Sequence, residues 1–265
     1  MSQFEDITYE VDGAAGIITI NRPHRHNAFR AQTVDELITA FQSAWSDNAV
    51  RAVVLTGAGE KAFCTGGDVK QRAETGDYGP SEFNRFRIGD LHKIMRDLPK
   101  PVIAAVNGVA VGGGHVLQVL ADVSIASETA RFGQAGPRVG SFDAGFGSAY
   151  LARVVGEKKA REMWFWCRLY NAQEALEMGL VNKVVPADRL LDEAKAWVEE
   201  VAVLSPTAIR FLKQSFNADT DHQAGFSNMA MTALDMFGVS PEGMEGAKAF
   251  AEKRPADFSA YVNWH

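Results

Sequence analysis

Ser141 and Asp143 are the two residues of this chain best placed to do chemistry. They stand two apart in Phe132-Gly-Gln-Ala-Gly-Pro-Arg-Val-Gly-Ser-Phe-Asp-Ala-Gly-Phe-Gly147, a run punctuated by glycine. A hydroxyl and a carboxyl at this spacing can hold a polar group and move its proton. Glycine at such density costs backbone entropy on folding, so it marks a main chain that turns sharply or approaches a ligand closely. The plainer readings are a surface loop, or Asp143 capping a helix over residues 144–154. Two further clusters, Val111-Gly-Gly-Gly-His115 and Cys64-Thr-Gly-Gly-Asp68, add to the first. Glycines that open a helix present unpaired N–H groups, which attract an anion or a polarised carbonyl oxygen. Two such donors converging on one oxygen form an oxyanion hole, which favours an enolate or tetrahedral intermediate over the ground-state carbonyl. A triple glycine fits tight helix-to-strand packing equally well. Neither cluster is a phosphate loop, because no Lys-Ser or Lys-Thr follows the glycines. His115 reads as a packed core histidine and Asp68 as a helix cap or loop anchor. Trp164 and Trp166, beside Phe165, read as core. No Cys/His spacing suggests a metal site.

The elements that must position these residues alternate. Gly16-Ile-Ile-Thr-Ile20, Val50-Arg-Ala-Val-Val-Leu-Thr56, Pro101-Val-Ile-Ala-Ala-Val106 and Val123-Ser-Ile-Ala126 are short, β-branched and closed by turn residues, so they read as strands. Residues 33–45 carry apolar side chains at helical spacing, and a second helix opens at the triple glycine. Strand, turn, helix, strand in repetition predicts an α/β fold with parallel pairing. Past Pro186 only helical patterns follow, at residues 189–204, 206–217 and 225–237, which divides the chain into a core over 1–199 and a helical region over 200–265. Met229, Met231, Met236 and Met244 in that region suit core or oligomer packing. The polar segment Glu74-Thr-Gly-Asp-Tyr-Gly-Pro-Ser81 reads as an exposed loop that could close as a lid.

The chain of 265 residues is 46% hydrophobic and 23% charged, enough to bury a large core and too little charge for extensive disorder. A net charge of -6 argues against nucleic acid as a partner. Two cysteines, Cys64 and Cys167, support no disulfide framework and suit a reducing compartment. With no signal-like start and no apolar run of membrane-spanning length, the expectation is a cytoplasmic protein that does not enter a membrane.

Taken in order, Asn21-Arg-Pro, Asn27-Ala-Phe, Ala62-Phe-Cys-Thr-Gly-Gly-Asp68, Lys100-Pro-Val-Ile-Ala-Ala-Val-Asn-Gly108, Val111-Gly-Gly-Gly114 and Phe132-Gly-Gln134 resemble the crotonase (enoyl-CoA hydratase/isomerase) superfamily over almost the whole chain. The resemblance implies a crotonase-like spiral of ββα units with a C-terminal helical region, homotrimers or hexamers formed as dimers of trimers, and acyl-CoA thioester substrates. It implies that Gly67 and Gly113 donate their N–H groups to the thioester oxygen. Arg22, His24, Arg25, Asn27 and Ala28 would contact coenzyme A, and Lys253 would reach its phosphates on a neighbouring subunit.

Hydratases of the family use two glutamates, one in Gly-Gly-Gly-Cys-Glu and one in Gln-Pro-Glu. Here those positions are Val116 and Gly136, and neither can exchange a proton. Gly112-Gly-Gly-His-Val-Leu117, Gly133-Gln-Ala-Gly-Pro-Arg-Val-Gly-Ser-Phe-Asp143 and Val155-Gly-Glu-Lys-Lys-Ala-Arg-Glu-Met-Trp164 look instead like 1,4-dihydroxy-2-naphthoyl-CoA synthase, which closes a ring, and 2-ketocyclohexanecarboxyl-CoA hydrolase, which opens one. By that likeness Ser141 binds the distal carbonyl or carboxyl group and Asp143 moves its proton. Synthases that borrow bicarbonate hold it with Gln-Thr-Gly and a Trp, whereas this chain offers Gln134, Ala135, Gly136 and Trp164; bicarbonate is therefore expected only for a synthase, and no cofactor is expected to bind tightly. The synthase tyrosine aligns with Gly238, which also enlarges the pocket. The start at Gln3-Phe-Glu-Asp-Ile7 looks more like the hydrolase, and His115 and Phe142 more like the synthase. Ring-opening C–C cleavage of a cyclic β-keto acyl-CoA is the leading expectation. Ring-closing synthesis, enoyl-CoA hydration and a non-catalytic CoA-binding protein are the alternatives.

Overall fold

A computed structural model describes residues 4–262, so Gln3 of the hydrolase-like start lies outside the described residues. The strands are β1 (Ile7–Asp12), β2 (Ala15–Ile20), β3 (Ala52–Gly57), β4 (Ala62–Cys64), β5 (Val102–Val106), β6 (Val109–Val111), β7 (Val123–Ser127), β8 (Arg131–Gly133), β9 (Leu169–Asn171) and β10 (Lys183–Val185). The helices are α1 (Ala31–Ser46), α2 (Val69–Thr75), α3 (Ile88–Asp97), α4 (Gly113–Leu120), α5 (Leu151–Val155), α6 (Glu157–Trp166), α7 (Ala172–Glu177), α8 (Leu190–Ala202), α9 (Pro206–Ala218), α10 (His222–Gly238) and α11 (Pro241–Glu252).

In β3-β4-α2 and β5-β6-α4 one long strand and one short strand precede the helix. The long strands β1, β2, β3, β5 and β7, with the three-residue β10 at one edge, form a six-stranded sheet in the order β1-β2-β3-β5-β7-β10, parallel except for the β1–β2 hairpin. The short ones form a second sheet, β4-β6-β8-β9, with β4, β6 and β8 parallel. This two-sheet stack of ββα turns is the spiral the resemblance implied. The short strands of the second sheet carry too few residues for an alternation to be read.

Both faces of β2, β3, β5 and β7 are buried, which is why they read as continuous apolar runs. One face carries Ile17, Val54, Ile103 and Ile125 against Leu190, Ala194 and Val198 of α8. The other meets the second sheet and α1, α3 and α4 through Phe41, Leu55, Phe63, Leu91 and Leu117. The amine of Lys213 on α9 is buried, where it donates to the carbonyls of Met95 and Lys100 and to Asp122 Oδ2 at 2.7 Å, locking this helix to the core. α10 rests on a single π-helical turn, Phe146–Tyr150.

Phe165 and Trp166 are a correction: they are exposed and stack on each other, while Trp164 alone turns into the core. Met229 and Met236 also face outward on α10, as do Phe211 and Phe216 on α9, whereas Met231 and Met244 are half-buried. Among the described residues no helix is long and apolar enough to cross a membrane.

The triple glycine serves packing as well as turning. A Cβ at Gly114 would stand 2.0 Å from the Cys64 carbonyl oxygen, backbone against backbone with no side chain to yield. Gly114→Ala is therefore expected to destabilise the protein by about 2–3 kcal/mol or to prevent folding, read as a lowered urea midpoint; a midpoint unchanged from the parent would refute this packing.

Candidate active site

Two turns at the ends of neighbouring parallel strands build the site. After β4 the chain turns at Gly66 with φ +82°, and after β6 it turns at Gly112 with φ +56°, both left-handed conformations that favour glycine. Pairing of β4 with β6 sets the turns in contact: a Cβ at Gly66 would lie 2.8 Å from the Gly113 nitrogen. Phe29 bridges the first turn, donating to the Gly66 carbonyl at 2.8 Å and accepting from the Asp68 N–H at 2.9 Å. The Gly67 N–H between those bonds is left over, and the Gly113 N–H opens α4. Neither has a protein acceptor among the described residues, and both glycines line a cavity of about 910 Å³. Asp68 caps α2, accepting from the Gln71 N–H at 3.2 Å. It is also gripped by Arg22 at 3.2 Å, so it anchors this turn.

Across the cavity stands the loop after β8. Ser141 and Asp143 both line the cavity, and the Ser141 hydroxyl has no protein partner among the described residues. Asp143 Oδ1 accepts the Gly147 N–H at 3.0 Å, so the residue caps the π-helical turn and faces the cavity at once. Trp164 in turn donates its indole N–H to the Gly147 carbonyl at 2.7 Å. Burial pushes the Asp143 carboxyl up to about 6, opposed only by the Gly147 N–H. Gln134 lies with its amide 3.0 Å from His115 Nδ1, and His115 is wholly enclosed, its pKa pushed down to about 3 by burial. The histidine is thus neutral and packed, as its place in the motif suggests.

Val116, where a hydratase has its first glutamate, is fully buried in the core. At Gly136, the second, a Cβ would come within 2.6 Å of the Ser141 carbonyl and 3.0 Å of Trp164 Cζ3. That position is sterically closed to any side chain. Gly238 lies on the wall with nothing within 4 Å of where its Cβ would be, which leaves room at this end.

The residues expected at coenzyme A lie apart from this cavity. Arg22, His24 and Arg25 border a shallower cleft of about 550 Å³. The Arg22 guanidinium is buried against the Ala28 carbonyl, Asp6 and Asp68, and the buried Asn27 amide donates to the carbonyls of Ala58 and Ala62. Those two side chains are spent on bracing the segment, a departure from the contact role expected of them, and Ala28 is buried. His24 and Arg25 retain exposed surface. Lys253 is exposed at the end of α11 and lines neither cavity.

Tyr78, Arg72 and Asp235 are among the cavity-lining residues to which the sequence reading gives no role. The Tyr78 ring packs over Gly67, where a Cβ would meet its Cε1 at 2.5 Å, and stacks on Phe86 at 4.6 Å between centroids. The segment read as an exposed lid is therefore pinned over the oxyanion turn. Arg72 on α2 and Asp235 on α10 also reach the wall, and burial raises the Asp235 carboxyl. A lone tyrosine in a polar loop and single charges on helices carry no pattern by which to find them.

A family model described as enoyl-CoA hydratase/isomerase matches residues 10–261. Similar solved structures include EchA1_1 from Mycobacterium paratuberculosis, 32% identical with a TM-score of 0.86 over 96% of this chain and 98% of that one. A carnitinyl-CoA hydratase from Mycobacterium avium is 30% identical with a TM-score of 0.84 over 96% and 98%. An enoyl-CoA hydratase from Mycobacterium avium subsp. paratuberculosis is 28% identical with a TM-score of 0.82 over 97% and 99%.

Holding Asp143 ionised in this cavity costs stability. Its pKa in the fold, about 6, lies above the 3.8 of a free aspartate, so the cost is absent below pH 4, grows as pH rises through 6, and is constant above. Asp143→Asn keeps an acceptor for Gly147 and removes the charge. It is expected to stabilise the protein by on the order of 1–2 kcal/mol at pH 8, after allowing for solvent in the cavity, and by almost nothing at pH 4. Thermal melts of both proteins across this range check it.

Proposed function

The chain belongs to the enoyl-CoA hydratase/isomerase family, and within it we propose that it opens the ring of a cyclic β-keto acyl-CoA by adding water across a C–C bond. The observation that carries this reading is the exchange of acid–base groups: neither hydratase glutamate is present, one place is closed by backbone, and a hydroxyl and a carboxyl whose pKa burial raises line the same cavity as Gly67 and Gly113 instead. Ser141 orients the ring ketone. Asp143 takes a proton from water as the water oxygen bonds to the ketone carbon, giving a tetrahedral alkoxide. As that alkoxide collapses to a carboxylic acid, the bond to the α-carbon breaks and its electron pair passes to the thioester oxygen, which the Gly67 and Gly113 N–H groups hold as an enolate. Asp143 then returns its proton to the α-carbon, so the sum is one water added, and the new acid ionises. Coenzyme A enters as part of the substrate, and no tightly bound cofactor is invoked; bicarbonate enters only if the chain runs as a synthase, for which Ala135 lacks the hydroxyl. The outward apolar side chains of α9 and α10 support assembly as a trimer or hexamer, since a patch of this kind calls for a partner.

Hydration is the second reading, and the names of the similar structures favour it. In that case Asp143 would serve water as base and the α-carbon as acid, with no second carboxyl from the usual positions.

Incubated with 2-ketocyclohexanecarboxyl-CoA, the purified protein is expected to form pimeloyl-CoA, detected by mass spectrometry as the gain of one water, while crotonyl-CoA keeps its enoyl absorbance. Loss of that absorbance with the cyclic thioester untouched assigns hydration instead, and turnover of o-succinylbenzoyl-CoA assigns the synthase. Because the carboxylate is the working base, kcat/KM is expected to rise with pH through about 6 and then level. Asp143→Asn is expected to lower kcat at least about 100-fold with CoA binding retained. Light scattering is expected to give the mass of three or six chains, and a monomer at micromolar concentration would refute the assembly.

A further inference from the structure

The described residues hold four buried cations, Arg22, Arg72, Arg96 and Lys213. Three have a carboxylate within ion-pair distance: Arg22 has Asp6 and Asp68, Arg96 has Asp221, and Lys213 has Asp122. Arg72 has none. Only 4% exposed, it is the one buried side chain of α2, and it lines the same cavity as Ser141 and Asp143. Its Nη2 donates to the carbonyls of Val139 at 2.9 Å, Gly140 at 3.3 Å and Gly243 at 3.4 Å. Its Nε has no partner, and Nη1 makes no hydrogen bond to the protein among the described residues.

Buried charge without a counter-charge is costly, and proteins pair it or present it to a ligand. The acids on the cavity wall do not supply the partner. Asp90 is held by Arg85 and Arg87, Asp97 by Lys93, and Asp221 by Arg96, while Asp77 accepts from the Thr75 hydroxyl and the Gly79 N–H and makes no ion pair with Arg72. Asp143 and Asp235 feel burial and no cation, which places neither against Arg72. The guanidinium therefore holds its neighbouring loop through one nitrogen and keeps donors in reserve beside the residue pair at the distal end of the substrate. A guanidinium with free N–H groups in a desolvated wall selects a carboxylate.

We infer that Arg72 is a carboxylate subsite: this cavity takes acyl-CoA molecules whose acyl chain carries, or acquires in the reaction, a carboxylate remote from the thioester. The inference rests on the ring-opening reading only in naming the source, because water cleavage of a cyclic β-keto acyl-CoA creates one carboxylate per turnover. A simple enoyl-CoA hydration creates none.

Calorimetric titration with pimeloyl-CoA and with heptanoyl-CoA, which share seven acyl carbons and differ in the terminal group, tests it. The parent protein is expected to bind pimeloyl-CoA about tenfold or more tightly than heptanoyl-CoA, the worth of a charge-assisted hydrogen bond. Arg72→Gln is expected to reduce the difference to within about twofold while leaving heptanoyl-CoA affinity unchanged, and Arg72→Lys to retain part of it. Equal affinities in the parent overturn the inference without any variant, so it stays testable even if Arg72→Gln fails to fold. Equal weakening of both ligands in the variant also overturns it, by placing Arg72 on the coenzyme A phosphates, and so does a preference that survives in Arg72→Gln. If the preference holds and disappears in Arg72→Gln while the cyclic thioester stays intact, the subsite stands and the ring-opening reading falls. Ring opening with no preference sinks the subsite alone.

Discussion

Two main-chain N–H groups left without partners are what the rest of this molecule is arranged around. A backbone donor in a protein interior is ordinarily satisfied, and two left open side by side on a cavity wall, with no protein acceptor among the described residues, favour an oxygen placed there. Gly67 is left over by the bridge between Phe29 and its neighbours, and Gly113 by the start of α4. They meet because β4 and β6 pair in parallel and both chains reverse within two residues of the strand ends. A side chain at Gly66 would drive the two turns apart. The spiral supplies the rigid base: the strands carrying the turns are braced from one side by the six-stranded sheet and from the other by the helices.

The opposite wall follows a different logic, in which a carboxyl is set by its neighbours' backbone. Trp164 fixes Gly147, and Gly147 fixes Asp143, so one indole N–H determines where the acid points. A single neutral donor stabilises the carboxylate less than a cation would, and burial prevails, pushing the Asp143 carboxyl up to about 6. The same loop is held from below by Arg72, and from α11 by the close approach of Gly246 to Gly140, where a Cβ would meet the Gly140 nitrogen at 2.2 Å. Glycine here secures packing density and hence position, which is what a proton-transfer group needs.

The readable and unreadable parts of the chain divide along physical lines. Long buried strands and amphipathic helices repeat over enough residues to be legible, so β2, β3, β5, β7 and α1 lie within a few residues of where periodicity puts them. The second sheet is built from three-residue strands that have no period to display. Glycine clusters marked both turns, because steric demand leaves a compositional trace. Single side chains recruited by tertiary contact leave none: Tyr78 reaches Gly67 through its stack on Phe86, and Asp235 reaches the wall only because α10 folds over the π-helical turn. Arg22 and Asn27 looked like ligand contacts and are braces, since a motif records that a residue is required and not which surface it serves. The aromatic trio at 164–166 shows the converse, one indole inward and two rings outward within a single helical turn.

Kinship and chemistry pull in different directions here, and the atoms at positions 116 and 136 explain how they can. A likeness of about 30% identity over nearly the whole chain speaks for a shared fold, and one fold can host several chemistries. The proton-moving groups are free to migrate, provided they still face the enolate. At 116 a valine seals the core beneath α4, and at 136 the backbone has closed over the place where a second acid would stand. On the other wall a hydroxyl, one perturbed carboxyl and a guanidinium with no carboxylate partner among the described residues lie along a single loop and its brace. Two carboxylates a water apart suit addition to an alkene, and an acid with a cation nearby suits a reaction in which charge accumulates at the far end of the substrate.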